Sequence, residues 1–564
     1  MILSVLQAHP SARDSRVYLK SFAPQVSSTK PDELKRAQIP PTPTNPDSPV
    51  SVADSILYTS PQHTGLVKIQ GPFTDRQLAS IVDGIIYLKT LGLVPIIVID
   101  HESWQVKSFP TYPSPEWREG LRAQIAHESN RLADMIEARG GATRPMPADI
   151  FRLGDGRGVG GDGPEVWVES LASLRSAVIY SEIPVISPVA LNSSCASVCI
   201  SADDAVKALA AGLATGQTES RRAIMDLTPL RLMIINREGG IPSPARNGHP
   251  HLSINLASEY DFIHQTFRWK TSHPTSLASL KLARTCLSYL PNEASALIVS
   301  HRSPKSLIAN LITNKPAHSP SLGHATLLSS HRDVGPATPT LIRKGLPIRV
   351  LRDFGQVDQM KMTELLEASF RQKLNRSAFY DRLSQTMKFV IIAGDYQGIA
   401  VVTDEWINEQ STFPEESPIA YLDKFAVLPS LQGEGIVDFL WGALRDESFG
   451  LGCPTSLNNN GGLGGKGVPM DLIWRSKVSN PVNKWYWERS NGHYKLKDRR
   501  IIGSDHQFSL FWCLANNNHE GGSLRHQNRL ESPGNEKHGV DQFKFLPRLK
   551  DWSKVVSRIP SCWL

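Results

Sequence analysis

The sequence predicts an α/β protein of two domains, the first with a mainly parallel sheet and helices on both faces, the second with a mixed sheet. Three observations carry this. In the first half, apolar strands alternate with helical stretches. In the second half, strands follow one another across tight turns before a strand, a glycine turn and a helix. A stretch dense in Ser, His and Pro, 318–339, parts the two, and 564 residues are too many for one core.

Residues 1–21 carry Arg13, Arg16 and Lys20 against Asp14, a faint echo of a mitochondrial presequence without its amphipathic Arg/Ser helix. Residues 25–50 are rich in Pro, Ser and Thr and cannot bury enough surface to offset their ordering entropy, so 1–50 reads as an N-terminal segment and linker. The first domain spans 51–330. LVKIQGPF (66–73) reads as a strand and turn, Thr74 and Asp75 can cap the following helix, Gly92 ends it, and VPIIVID is a buried parallel strand. SAVIYSEIPVISPVAL, VCISADDAVKALAAGL and RLMIINREGG continue the alternation.

The second domain spans 340–564. A helix over VDQMKMTELLEASFRQKL leads to strands KFVIIAG and QGIAVVT, split by a turn around Gly394, Asp395 and Tyr396. IAYLDKFAVLP, the turn LQGEG, the helix IVDFLWGALRDES and the strands DLIWRSKV and FSLFWCL complete the sheet. Gly450–Pro469 reads as a low-complexity insertion; its GGLGGKGVP is not a phosphate-binding loop, since no Ser or Thr follows Lys466.

Composition narrows the function. Hydrophobic residues at 40% and charged residues at 20% suit a globular protein, and the apolar run Val94–Ile99 is far short of a membrane span. The net charge of +7 is dispersed, with no Lys/Arg block and no aromatic-flanked RNA motif, so no nucleic-acid partner is expected. Six cysteines without a CxxC pair argue against a disulfide framework and against zinc.

The chemistry concentrates in Tyr421–Trp441. Gln432, Gly433, Glu434 and Gly435 lie between a strand and a helix, where glycines admit a ligand close to the backbone and helix-start N–H groups hold a pyrophosphate. Alone, such a turn is equally a plain helix entry. Further on, Arg475 and Lys477 alternate along a strand, share one face and could clamp a dicarboxylate, or could be solvated strand charges.

The 432–435 turn resembles the coenzyme A loop of the Gcn5-related N-acetyltransferases (GNAT), with Gly433 and Gly435 in place and Ser430 where Gln or Arg is usual. YLDKFAV followed by QGxG, then WRSKVSNPVNKWYWERSNG, resembles the N-acetylglutamate synthases, and SARDSRVYLKSFAP, PLRLMIINREGGIPSPARNG and HLSINLASEYDFI resemble their fungal members. The resemblance implies a GNAT domain that moves acetyl from acetyl-CoA to the α-amine of L-glutamate by direct attack, without a metal, at the first step of arginine biosynthesis. It implies that Lys424, Arg475, Lys477, Asn480 and Lys373 hold glutamate and that Tyr486 is the acid for the departing thiolate. Phe425, Ala426 and Val427 would offer backbone to pantetheine, and Gln432–Gly435 would hold the pyrophosphate. Lys477 stands where arginine is common, so a point charge replaces a bidentate fork. Against these roles, Lys424 could snorkel at a strand edge and Tyr486 could be core packing. The residues name no general base; strand alternation puts Asp423 on the face opposite Lys424.

The region 64–100 resembles the amino-acid kinase fold. Those kinases need glycine turns to approach ATP; here KIQGPF keeps only Gly71, followed by Pro72 with no N–H, and IDHESW has none, so the domain reads as catalytically silent. The resemblance implies arginine feedback inhibition, a mitochondrial matrix location, acetylglutamate kinase as a partner and a homo-oligomer. NREGGIPS (Asn236–Ser243) is a candidate arginine site or simply a tight turn. The competing reading is a non-catalytic, arginine-sensing regulatory subunit of an acetylglutamate kinase complex; an active amino-acid kinase is contradicted by the missing glycines.

Overall fold

The computed structural model describes residues 63–104, 115–157, 164–215, 226–302, 314–316, 318–322, 335–406, 418–445, 451, 470–496, 508–514 and 542–564. The expected segment 1–50 lies outside these, as does the insertion Gly450–Pro469 apart from Leu451. The chain divides into two compact units: Met1–Gly240 with Ser272–Ala317 and Ala337–Lys344, and Ile241–Thr271 with His318–Pro336 and Gly345–Leu564.

The first unit opens with β1 (His63–Gly71), α1 (Asp75–Thr90) and β2 (Leu93–His101). Thr74 caps α1: its hydroxyl accepts from the Gln77 N–H while the Gln77 side chain accepts from the Thr74 N–H. There follow α2 (Pro115–Glu137), β3 (Thr143–Met146), β4 (Phe151–Arg157), β5 (Pro164–Val168), α3 (Ala172–Ile179), β6 (Ile183–Ile186), β7 (Val189–Leu191) and β8 (Ser197–Cys199). Then come α4 (Ala202–Thr215) and β9 (Arg231–Asn236); β10 (Ser253–Asn255) and α5 (Leu256–Thr266) belong to the second unit, and α6 (Ser276–Tyr289), β11 (Ser295–Ser300) and β12 (Thr340–Arg343) return to the first.

Within this unit the main sheet runs β12-β11-β9-β1-β2-β6-β3, parallel except for the β11–β12 pair. Its strands are nearly continuous apolar runs because helices cover both faces. Val67, Ile69, Ile97 and Ile235 pack on α1 and α2 in one core. The opposite face holds an ion cluster. Lys68, 3% exposed, reaches Asp100 at 2.9 Å and Asp203, in the first turn of α4, at 2.5 Å. A smaller four-stranded sheet, β5-β4-β7-β8, was not legible beforehand.

The second unit is built on a mixed seven-stranded sheet, β13-β14-β15-β16-β17-β19-β18. Its strands are β13 (Ile348–Leu351), β14 (Met387–Ala393), β15 (Gly398–Glu405), β16 (Ile419–Val427), β17 (Leu472–Lys477), β18 (Gly492–Leu496) and β19 (Phe508–Cys513). All neighbours are antiparallel except β16 and β17. The helices are α7 (Gln359–Phe370), α8 (Arg376–Thr386), α9 (Ile436–Arg445), α10 (Asn483–Arg489) and α11 (Gln542–Arg558). Sheet residues alternate between the two faces, which carry three clusters: α9 packs on Phe389, Ala400, Leu422 and Trp474, while α7 and α8 pack on Val390, Ile399 and Val401, and α11 on Ile419, Tyr421 and Ile473. One element differs from expectation. The helix read over VDQMKMTELLEASFRQKL stops at Phe370, because Arg371 adopts the left-handed conformation at φ 56° and its N–H bonds back to the Glu367 carbonyl.

Candidate active site

Two irregularities in β16 create the site. A register shift against β15 pairs Val401 with Lys424 and Val402 with Leu422, leaving Asp423 as an extra residue in a bulge. Leu422 faces the α9 core; without the bulge Lys424 would share that face. Instead Phe425 packs there, and Asp423 and Lys424 both turn toward α8. The expected opposition of Asp423 and Lys424 therefore does not hold: Lys424 Nζ donates to Asp423 Oδ1 at 2.8 Å. Arg382 of α8 also binds Asp423, at 3.2 Å, and bridges to Glu405. Burial works against charge on Asp423, but Lys424 and Arg382 outweigh it and hold its carboxyl below the ordinary range. The Lys424 ammonium lies 5.3 Å from the Phe379 ring centre and 5.9 Å from that of Trp563.

The second irregularity is a parting of strands. β16 pairs with β17 only at Ala420–Leu472 and Tyr421–Ile473, while β16 continues to Val427. Beyond Tyr421 the edge of β16 that carries Phe425, Ala426 and Val427 has no strand partner on the β17 side among the described residues. The pairing of the two strands ends there, leaving a slot along the free edge of β16.

The slot is lined differently on its two faces. On the α9 side, Gly433 at φ 102° and Gly435 at φ 87° turn the chain from the short 3₁₀ helix Pro429–Leu431 into α9. Both conformations disfavour a side chain, and the turn leaves the start of α9 pointing its N–H groups at the loop. Gln432 Nε2 donates to the Val427 carbonyl at 3.4 Å, tying the turn to the end of β16; Glu434 follows between the glycines. Tyr486 of α10 faces the same side, packed on Trp474 at 5.4 Å and Phe511 at 5.6 Å between ring centres. Its residue is 8% exposed, and its hydroxyl has no hydrogen-bond partner among the described residues. Burial pushes the phenol's pKa up, so it stays protonated through the neutral range.

On the opposite face stand the cations. Trp474 faces the α9 core, so alternation turns Arg475 and Lys477 toward the side of Lys424 and α11. Arg475 Nη1 and Nη2 donate to the carbonyls of Val556 and Ile559, at 3.0 and 2.9 Å, so the guanidinium caps the end of α11. Lys477 is exposed at the strand end. Asn480 organises the turn beyond it: Nδ2 donates to Ser476 Oγ at 3.0 Å, and Oδ1 accepts from the Val482 N–H at 3.0 Å at the start of α10. Lys373 is set apart: its side chain is 78% exposed and paired with Glu367 at 2.9 Å, although its carbonyl accepts from the Leu564 N–H, next to the Trp563 ring near Lys424.

Sequence reasoning missed Arg382, Trp485 and Arg489. Trp485 stacks on Phe425 at 5.9 Å and 29° and is signalled by the WYW run; the two arginines carry no local signal. Among the described residues no group of three or more His, Cys, Asp or Glu could hold a metal ion, and no helix is long and apolar enough to cross a membrane.

With this geometry in view, the second unit matches a family model described as the N-acetyltransferase of N-acetylglutamate synthase, over 349–451 and 466–526. An amino-acid acetyltransferase, mitochondrial, from Coprinopsis cinerea is 46% identical over 100% of this chain and 91% of its own length. The chain belongs to the mitochondrial amino-acid acetyltransferases. A member from Laccaria bicolor is 44% identical, covering 100% of this chain and 99% of its own. Among solved structures, N-acetylglutamate synthase from Neisseria gonorrhoeae, complexed with coenzyme A and N-acetyl-glutamate, covers 83% of this chain and 100% of its own at TM-score 0.47 and 15% identity. An amino-acid acetyltransferase draws its acetyl group from acetyl-CoA.

Proposed function

We propose that this amino-acid acetyltransferase is an N-acetylglutamate synthase acting at the first step of arginine biosynthesis, with L-glutamate as acceptor and the mitochondrial matrix as its location. The observation that carries the reading is the slot between β16 and β17. It has a glycine-opened turn and an acid on one face, and Lys424, Arg475 and Lys477 on the other.

In this reading Gln432–Gly435 and the α9 N-terminus hold the pyrophosphate, and the unpaired edge of Phe425, Ala426 and Val427 guides the pantetheine arm into the slot. The thioester carbon meets the glutamate amine where the strands part. Lys424, Lys477, Asn480, Arg475 and Lys373 receive the two carboxylates and the backbone of glutamate. The neutral amine attacks the carbonyl, the carbon–sulfur bond breaks and Tyr486 protonates the leaving thiolate; the proton shed by the new amide nitrogen passes to water, and solvent returns one to the phenolate. No residue is covalently modified; alignment of two bound reactants supplies the acceleration. Asp423 does not serve as base, because Lys424 and Arg382 have weakened its hold on a proton.

We assign the first compact unit (expected as 51–330) to an amino-acid-kinase-like regulatory domain and the second (expected as 340–564, and joined by 241–271 and 318–336) to the GNAT domain. The first is silent as a kinase: beyond the missing glycines, Lys68 is taken up by Asp100 and Asp203. Its role is arginine feedback inhibition, in a homo-oligomer that can associate with acetylglutamate kinase. The turn Asn236–Gly239 is closed internally, with Asn236 Oδ1 accepting from the Gly239 N–H at 2.6 Å, which favours a structural turn there over the arginine site.

The deciding experiment incubates the purified chain with acetyl-CoA and L-glutamate and follows free thiol, with and without arginine. Glutamate-dependent thiol release that arginine suppresses supports the reading. Absence of release with every amino acid tried leaves the regulatory-subunit reading in its place.

A further inference from the structure

α10 carries the proposed acid but is only seven residues long and has no side-chain N-cap. A helix this short is not stable by itself, so its neighbours decide where Tyr486 stands. Its last residue, Arg489, has a side chain 2% exposed. A guanidinium so deeply buried is costly unless its donors are met, and here they are met by three different parts of the second unit.

Nη1 turns back to the Trp485 carbonyl at 3.0 Å and closes the helix upon itself. The guanidinium carbon lies 3.8 Å from the centre of the Trp485 ring, and that ring stacks on Phe425 of the unpaired β16 edge. Nε donates to Ser321 Oγ at 2.6 Å, and Nη2 donates to Ser319 Oγ. Both hydroxyls pass the contact on, each donating to Oδ1 of Asp438, with Ser319 at 2.9 Å. Nη2 also reaches Asp438 Oδ1 directly at 3.5 Å, and Nη1 reaches the neighbouring Glu488 Oε2 at 3.4 Å; of the two carboxylates Asp438 is the one that links α10 to α9. Asp438 lies in the first turn of α9, and its N–H bonds to the Gly435 carbonyl at 3.0 Å.

The chain of contacts therefore runs from the acid-bearing helix, through one guanidinium and two serine hydroxyls, to the turn after Gly435. Phenol and carrier loop stand on separate elements with no covalent link shorter than 51 residues between Asp438 and Arg489. Protonation of a leaving sulfur needs the two in register, since a misplacement of about 1 Å can cost about a hundredfold. We propose that Arg489, with Asp438 as its counter-ion and Ser319 and Ser321 as the bridge, is a positioning residue for the acetyl transfer. It sets the distance between Tyr486 and the coenzyme A turn. The inference rests on the synthase reading above and adds to it a residue that touches neither substrate.

The arrangement depends on the planar fork and not on charge alone. A lysine keeps the charge but cannot meet Trp485, Ser319 and Ser321 together or lie flat on the indole. The test is steady-state thiol release by the full chain for wild type, Tyr486→Phe, Arg489→Lys, Asp438→Asn and the Arg489→Lys/Asp438→Asn pair, with kcat and the two KM values expressed per folded molecule. Arg489→Lys and Asp438→Asn should each lower kcat by about tenfold or more, while the KM for glutamate stays within about twofold. The double variant should lose little beyond the worse single variant, because both substitutions break one linkage. Wild-type kcat per folded molecule in Arg489→Lys, or losses that multiply in the double variant, would overturn the proposal. If Arg489→Lys does not fold, Asp438→Asn and Ser321→Ala carry the same test. A wild type that releases no thiol defeats the synthase reading and this inference together. An active wild type that is sensitive to Tyr486→Phe but not to Arg489→Lys defeats the inference alone.

Discussion

Lys424 and Asp423, adjacent in sequence, point the same way out of β16 and meet at 2.8 Å. In a regular strand they would face opposite sides of the sheet. The bulge that reverses this also delivers Phe425 to the α9 face, where it stacks on Trp485. One extra residue thus sets a buried ion pair on one face of the sheet and an aromatic stack on the other.

The pair gives the first prediction. Asp423 is buried with Lys424 and Arg382 on it, and removal of its charge leaves two cations with less compensation. Asp423→Asn should destabilise the second unit by about 3–5 kcal/mol, the range for breaking a buried pair. Because the folded carboxyl titrates below its unfolded value of about 3.9, its contribution is complete above that pH and fades as pH falls through the folded value. Denaturant midpoints of wild type and Asp423→Asn should differ by a constant amount from about pH 5 to 7 and converge in stronger acid. A gap that widens on acidification would contradict the ion-pair assignment.

Tyr486→Phe tests the acid. The ring packing on Trp474 and Phe511 is kept, and only the hydroxyl is lost, so folding should be little affected. On the proposed mechanism kcat falls by about a hundredfold, with both KM values nearly unchanged. Burial raises the phenol's pKa, so deprotonation of Tyr486 should not limit wild-type kcat on the alkaline side below about pH 10. Wild-type turnover in the variant would return Tyr486 to core packing.

Much of this was readable beforehand where the signal is local. Thr74 and Asp75 mark the start of α1, the LQGEG turn marks the entry to α9, and alternation places Arg475 and Lys477 on one face of β17. What escaped depends on distance or on a broken period. The bulge at Asp423 has no sequence mark, because strand reading assumes strict alternation. Arg371 ends α7 in a conformation that glycine usually supplies. The parting of β16 from β17 is a property of two strands whose sequences each look regular. α11 is the exception, since Trp552, Val555, Val556 and Ile559 recur at helical spacing and mark it locally.

Gly433→Ala isolates the carrier turn. A Cβ at Gly433 would meet no atom within 4 Å, so substitution adds no clash and changes only the cost of holding φ at 102°. That cost is about 1–2 kcal/mol for a residue with a side chain. If the loop cradles the pyrophosphate, the turn relaxes and the KM for acetyl-CoA rises by about five- to thirtyfold while the KM for glutamate stays near its wild-type value. Coenzyme A affinity measured by calorimetry should fall in parallel; an unchanged affinity would remove the turn from the binding site.

Arg475 offers the sharpest separation of two roles, because both terminal nitrogens are already committed to the carbonyls of Val556 and Ile559. Charge-assisted bonds of this kind contribute about 1.5–3 kcal/mol each when a charged donor is lost. Arg475→Met should therefore lower thermal stability and loosen α11, visible as faster amide exchange at Val555 and Val556, which pack beside Tyr421 and Ile473. A glutamate carboxylate can still reach Nε or share a terminal N–H, so the KM for glutamate should rise in the same variant. Arg475→Lys keeps the charge without the two-nitrogen fork and separates the effects: it should lose the paired capping of α11 while keeping most of the glutamate affinity. Loss of both would make Arg475 a cap for α11 alone and leave Lys424 and Lys477 to hold the diacid.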